Sequence, residues 1–153
     1  MKKVENINSL SIGDILACQY RNKWCIVEVE QIDTGKYIGR NYIHFFDVEV
    51  KECYFIDITP DILNSIHEIK LYDDGKEPIR YQVENSSENC FVNEGETPPL
   101  PNVVFNIYQD KRGFWINQES LHTLNELQYY YKQKTGYNLR VDVVEIERII
   151  NKL

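Results

Sequence analysis

The sequence is poor in the residues that favour helices by themselves, and poor in the short patterns that mark familiar chemistry. It holds a single alanine, Ala17, and a single methionine, so any helix must rest on packing rather than on intrinsic propensity. No apolar run approaches the roughly 20 residues that a membrane-crossing helix needs. The first residues, Met1-Lys2-Lys3-Val4-Glu5-Asn6, lack the apolar stretch of an export signal, and a reducing, cytoplasmic setting is expected. The seven glycines stand singly, leaving no phosphate-cradling loop, and neither a nucleophile elbow nor a zinc-protease helix is present. Cys18, Cys25, Cys53 and Cys90 are spaced too irregularly for a zinc site, and His44, His67 and His122 are scattered. No metal and no cofactor is therefore expected, and the four thiols read as free. Cys18 and Cys25 nevertheless flank a turn and are set to face each other across a hairpin.

What is present is the balance of a folded protein. Hydrophobic residues make up 42% and charged residues 27% of 153 positions, enough for one domain or two very small ones sharing a core. The net charge is −7, and it is uneven: residues 1–58 carry 7 bases and 9 acids, residues 59–118 carry 5 and 10, and residues 119–153 carry 5 of each. No segment is basic, so binding to a nucleic acid backbone through net charge is disfavoured.

Residues 1–58 read as a β unit. Strands are expected at Asp14–Tyr20 and Trp24–Ile32 around the turn Arg21-Asn22-Lys23, then at Tyr42–Phe46 and Val48–Ile58. Asp33-Thr34-Gly35-Lys36 is a turn, and Gly39-Arg40-Asn41 an irregularity in or between strands. Strands this short, led by Ile12-Gly13-Asp14, predict a curled SH3-like barrel rather than a sandwich.

Residues 59–153 read as an α+β unit. Thr59 is placed to cap a short helix with Pro60 at its first position and Ile62, Leu63 and Ile66 on its apolar side. Hairpins follow around Asp73-Asp74-Gly75-Lys76 and around Asp110-Lys111-Arg112-Gly113, separated by a long loop, 85–102, that holds Pro98-Pro99-Leu100-Pro101. The longest helix is expected over 120–135, with Leu121, Leu124, Leu127 and Tyr131 as one buried stripe and Gly136 closing it. A last amphipathic stretch, 143–153, carries Val143, Ile146, Ile150 and Leu153 on one side.

Three segments resemble a group of small uncharacterised proteins of Bacteroidetes phages and mobile elements. They are Leu10-Ser11-Ile12-Gly13-Asp14, the segment Asp57-Ile58-Thr59-Pro60-Asp61-Ile62-Leu63, and a helix in which Leu127, Gln128, Tyr131, Thr135, Gly136 and Leu139 match. A histidine of that pattern is replaced here by Asn125. The resemblance implies a phage or mobile-element accessory protein and carries no activity with it.

The candidate sites are modest. His122 and Glu126, four apart, read more readily as an exposed helical pair than as ligands, and Asp73-Asp74-Gly75 as a turn rather than a calcium loop. Trp24, Tyr129, Tyr130 and Tyr137 are the aromatic candidates for partner contact, and Ile146 and Ile150 join them if the tail docks on a partner or on a second copy. The expected function is a non-enzymatic accessory or binding protein that acts through protein–protein contact and masks a basic partner. The alternatives are a small hydrolase or nuclease built from dispersed histidines and acids, and a virion structural component.

Overall fold

The computed structural model describes residues 1–85 and 103–152, so the proline run, Cys90 and Leu153 lie outside the described residues. Among the described residues, two antiparallel sheets and three α-helices give an α+β protein. The first sheet is a meander of β1 (Ile15–Tyr20), β2 (Lys23–Gln31), β3 (Tyr37–Asn41) and β4 (Phe46–Glu49), in that order. A two-residue turn joins β1 to β2, with Arg21 and Asn22 both at positive φ (50° and 64°), the hand that suits the twist of the flanking strands. Gly39 sits inside β3 because nothing larger fits. A Cβ there would lie 2.8 Å from Val27 Cγ2 and 3.1 Å from Val48 Cγ1.

This sheet does not close into the expected SH3-like barrel. Strand β4 ends at Glu49, followed by a 3-10 turn at Val50–Glu52, so no long strand runs from Val48 to Ile58. Tyr54 takes the outer edge of β1 instead: Ala17 N–H donates to Tyr54 O at 2.9 Å and Tyr54 N–H donates to Ala17 O at 2.7 Å. Of the strand expected at Tyr42–Phe46, residues 42–45 belong to the connection between β3 and β4, and Phe46 opens β4. Buried Asn41 accounts for this, since its Oδ1 accepts from the N–H groups of Ile43 (3.0 Å) and His44 (2.6 Å) and its Nδ2 donates to Ile26 O at 2.7 Å. That side-chain network outweighs the β preference of Ile43 and Phe45.

The second sheet contains β5 (Ile69–Tyr72), β6 (Ile79–Glu84), β7 (Val103–Asp110), β8 (Gly113–Ile116) and β9 (Glu119–Leu121), again in sequence order. Both hairpin turns fall where the sequence places them, and Asp73 and Asp74 accept from the N–H groups of Gly75 and Lys76 as ordinary turn residues. Helix α1 (Pro60–Asn64) starts on a Thr59 cap.

Helix α2 (Leu124–Thr135) begins four residues later than its apolar stripe predicts. Thr123 Oγ1 accepts from Glu126 N–H at 3.2 Å while Glu126 Oε2 accepts from His122 N–H at 2.9 Å, a reciprocal cap that stops the helix there. Leu121 keeps its buried position from β9. Gly136, at φ 78°, closes the C-terminus.

Helix α3 (Val143–Asn151) buries Ile146, Ile149 and Ile150. One apolar core takes Ile15, Ala17 and Ile26 from the first sheet, Tyr81, Val83 and Ile107 from the second, and side chains of all three helices. The units 1–58 and 59–153 thus share a core. A smaller core under the other face of the first sheet holds Val4, Leu16, Cys18, Cys25, Val27 and Cys53.

Candidate functional site

Gln128 anchors the start of α2 to the first sheet. Its Oε1 accepts from Ile15 N–H at 2.9 Å and its Nε2 donates to Gly13 O at 3.2 Å. Between these two residues stands Asp14, 8% exposed, whose Oδ2 accepts from Ser11 N–H at 2.7 Å. Asn125, with its amide nitrogen turned to Asp14, donates to the same carboxylate at 2.8 Å. Burial pushes the Asp14 carboxyl above its ordinary value of 3.8, against the lowering effects of the Ser11 bond and of Lys132. Nearby, Ile58 N–H donates to His122 O and Leu124 N–H donates to Ile56 O, both backbone bonds. The three segments singled out in the sequence therefore meet at one end of α2.

Beside this junction lies a groove of ≈ 1090 Å³. It is lined by the segment Asn8–Ile12 with Asp14, by β9 with His122, and by Asn125, Glu126, Tyr129, Tyr130 and Lys132 of α2. Four carboxylates line it (Asp14, Asp57, Glu119 and Glu126) against two lysines, Lys2 and Lys132, and Asp57 is paired with the N-terminal ammonium of Met1 at 3.4 Å. Ile12 and Tyr129 expose apolar surface into it, at 53% and 62%. Among the described residues, β9 pairs with β8 alone, while just past it Ile56–Ile58 bridge to His122–Leu124 on the outer side, so the open stretch of the β9 edge is Ser120. Ile116 and Glu119 flank the two-residue turn between these strands, and by alternation the backbone N–H and C=O of Ser120 point away from β8.

Of the residues singled out for partner contact, Tyr129 and Tyr130 line this groove. Tyr130 is half-buried, edge-on to Phe105, and Tyr137 is exposed at the far end of α2. Trp24 is placed elsewhere, partly buried against the main core, packed edge-on against Tyr54 and hydrogen-bonded through its backbone to Asn151. Ile146 and Ile150 are buried at 0% and 3%, so the tail offers them to its own core and not to a partner. His122 and Glu126 form a cap rather than a helical pair. Asp14, Gln128 and the β9 edge escape a sequence reading of the site because more than 100 positions separate Asp14 from its α2 partners. The local signal for this cap is the Thr123-x-x-Glu126 spacing, which the expected helix start at 120 passes over.

Gln128 also lines a smaller cavity of ≈ 340 Å³, floored by Ile15, Ile26 and Leu139 and rimmed by Arg40 and Arg140. Away from both cavities, Cys25, His44 and Glu147 bring one potential metal-ligand atom each within 4.8 Å of one another. No helix among the described residues is long and apolar enough to cross a membrane. Comparison with protein-family models, with curated proteins and with solved structures gives no match for this chain.

Proposed function

We propose that this is a non-enzymatic binding protein whose groove beside α2 receives an extended, basic segment of a partner protein. The observation that carries the reading is the coincidence of the open β9 edge at Ser120, exposed Tyr129 and Ile12, and four carboxylates against two lysines and the N-terminal ammonium around one groove. Extended peptides dock on such edges through main-chain bonds, and their side chains read the flanking walls. The groove exceeds the 300–1,000 Å³ or so typical of small-ligand clefts, and its charge favours Lys and Arg over acidic side chains. Masking a basic partner is consistent with the net charge of −7. An accessory role in a phage or mobile element rests on the sequence resemblance alone.

A hydrolase built on a histidine and an acid has less support. His44 lies in the β3–β4 connection, His67 follows α1 and His122 precedes α2, and of these His122 alone lines the groove. There its neighbour Glu126 is engaged by a backbone N–H.

Selection of a random-peptide library on the full chain tests the proposal. Enriched peptides should be basic, should bind more weakly as salt rises, and should lose at least about tenfold in affinity on Tyr129→Ala or Ser120→Pro, with melting curves unchanged. Ser120→Pro removes the outward N–H and leaves the bonds from β8 to Glu119 and Leu121 in place. Enrichment of acidic peptides, or affinities indifferent to both variants, would overturn it.

A further inference from the structure

We propose that Cys25, His44 and Glu147 form a binding site for a divalent transition metal, with zinc as the best fit. The three come from β2, from the β3–β4 connection and from α3, and nothing in their spacing along the chain relates them. Their ligand atoms already lie within 4.8 Å of one another, and His44 Nε2 stands 3.6 Å from Glu147 Oε1. Two ligands on one tetrahedral zinc are separated by roughly 3.3–3.6 Å, given bond lengths of about 2.0–2.3 Å. Closing the set therefore asks for small side-chain movements only. One sulfur, one imidazole and one carboxylate is a donor set that suits zinc, whereas calcium and magnesium take oxygen alone. Three protein ligands leave one position for water or for a group of a partner.

The scaffold holds each ligand from behind. The β2–β3 ladder stops at the Glu28–Arg40 pair, so Cys25 extends beyond it and has no β3 partner. The Asn41 side chain binds Ile26 O, next to Cys25, and accepts from His44 N–H, which fixes the connection that carries the histidine. On α3, Asn151 Nδ2 donates to Glu147 O and to Trp24 O, both at 2.9 Å, while its Oδ1 accepts from Trp24 N–H at 3.0 Å, clamping the helix to the residue before Cys25. Glu147 Oε2 is buried and has no hydrogen-bond partner, an unmet demand that a cation would satisfy. The His44 side chain is about half exposed, which gives the ion a way in.

The test is titration of the full, untagged protein with zinc against a competing chelator, with cobalt as a spectroscopic stand-in. One equivalent should bind, and the cobalt form should show a thiolate charge-transfer band that Cys25→Ser removes. His44→Ala, at an exposed side chain that the fold does not need, should weaken zinc binding at least about tenfold, and Glu147→Gln likewise. Absence of stoichiometric binding would overturn the assignment. So would a cobalt spectrum without the thiolate band, or zinc affinity unchanged in His44→Ala.

Discussion

Gln128 hydrogen-bonds the main chain on both sides of Asp14, reaching from α2 to Ile15 N–H and to Gly13 O across more than 100 residues of sequence. Buried at 7% exposure, it holds α2 to the start of β1 and so fixes the geometry between two walls of the groove. Gln128→Leu keeps the volume and removes both bonds, leaving the buried Ile15 N–H and the part-buried Gly13 C=O without their partner. A loss of about 1–3 kcal/mol per stranded group is expected. Denaturant unfolding measures it, and a change below about 0.5 kcal/mol would show that water replaces the amide.

The fate of α3 follows from its buried face. Ile146, Ile149 and Ile150 enter the main core, and Asn151 clamps the helix to β2. Deleting residues 143–153 strips these side chains from the core at about 1.5–3 kcal/mol each, a sum near the whole stability of an ordinary domain. The truncated chain should show no cooperative melt. Ile146→Ala in the full chain should remain folded and lose about 2–5 kcal/mol. A truncated chain that melts cooperatively would refute this.

How much was legible depended on the range of the interaction that decides each element. The β5–β6 and β7–β8 hairpins and α1 were written locally, in Asp73-Asp74-Gly75, Asp110-Lys111-Arg112-Gly113 and Thr59-Pro60, whereas the third hairpin, β8–β9, falls where a helix start is expected. The stretch Tyr42–His44 was not, because the bond from Asn41 to Ile26 O spans 15 residues and overrides the local β preference of Ile43. The α2 stripe was legible as a buried face, but its first leucine belongs to β9. Tyr129 and Tyr130 could be placed on the helix, yet the groove they line also needs Ile12, Asp14 and the edge of β9. Cys25, His44 and Glu147 share no periodicity, so only the fold brings them together.

Asp14 gives stability a specific dependence on pH. Its folded carboxyl is raised above 3.8, chiefly by burial, so the folded state holds this proton more tightly than the unfolded chain does. As pH rises through 3.8 the unfolded chain releases the proton first, and Asp14 subtracts stability progressively up to its folded value. Asp14→Asn removes that dependence and keeps an oxygen for Ser11 N–H. The stability of the variant relative to the native chain should therefore increase as pH rises from below 3.8 through the range above it. A constant difference across that range would mean the Asp14 charge is solvated.

The thiols set a second window at alkaline pH. Burial pushes Cys18 up to about 11 and Cys53 up to about 12, both from 9.0. An unfolded chain ionises these groups first, so stability should fall as pH climbs from 9.0 toward those values. Alkylation mapped by mass spectrometry near pH 8 should spare Cys18 and Cys53 in the native protein and modify both after unfolding. Modification of native Cys18 at the unfolded rate would contradict the burial that raises it.

Gly39 offers the sharpest test of the first sheet. Val27 is fully buried in the smaller core, and its Cγ2 stands 2.8 Å from where a Cβ on residue 39 would be, with Val48 Cγ1 at 3.1 Å. The added methyl must displace one of them, and Gly39→Ala should cost about 1–3 kcal/mol by overpacking. Val27→Ala alone leaves a cavity and costs stability of its own. Combined, the two changes relieve each other, because the new methyl enters space that the valine vacates. The double variant should therefore lose less than the sum of the single losses, with a coupling of about 0.5–3 kcal/mol. Strict additivity in that cycle would mean the glycine is kept for its backbone and not for the close approach of Val27.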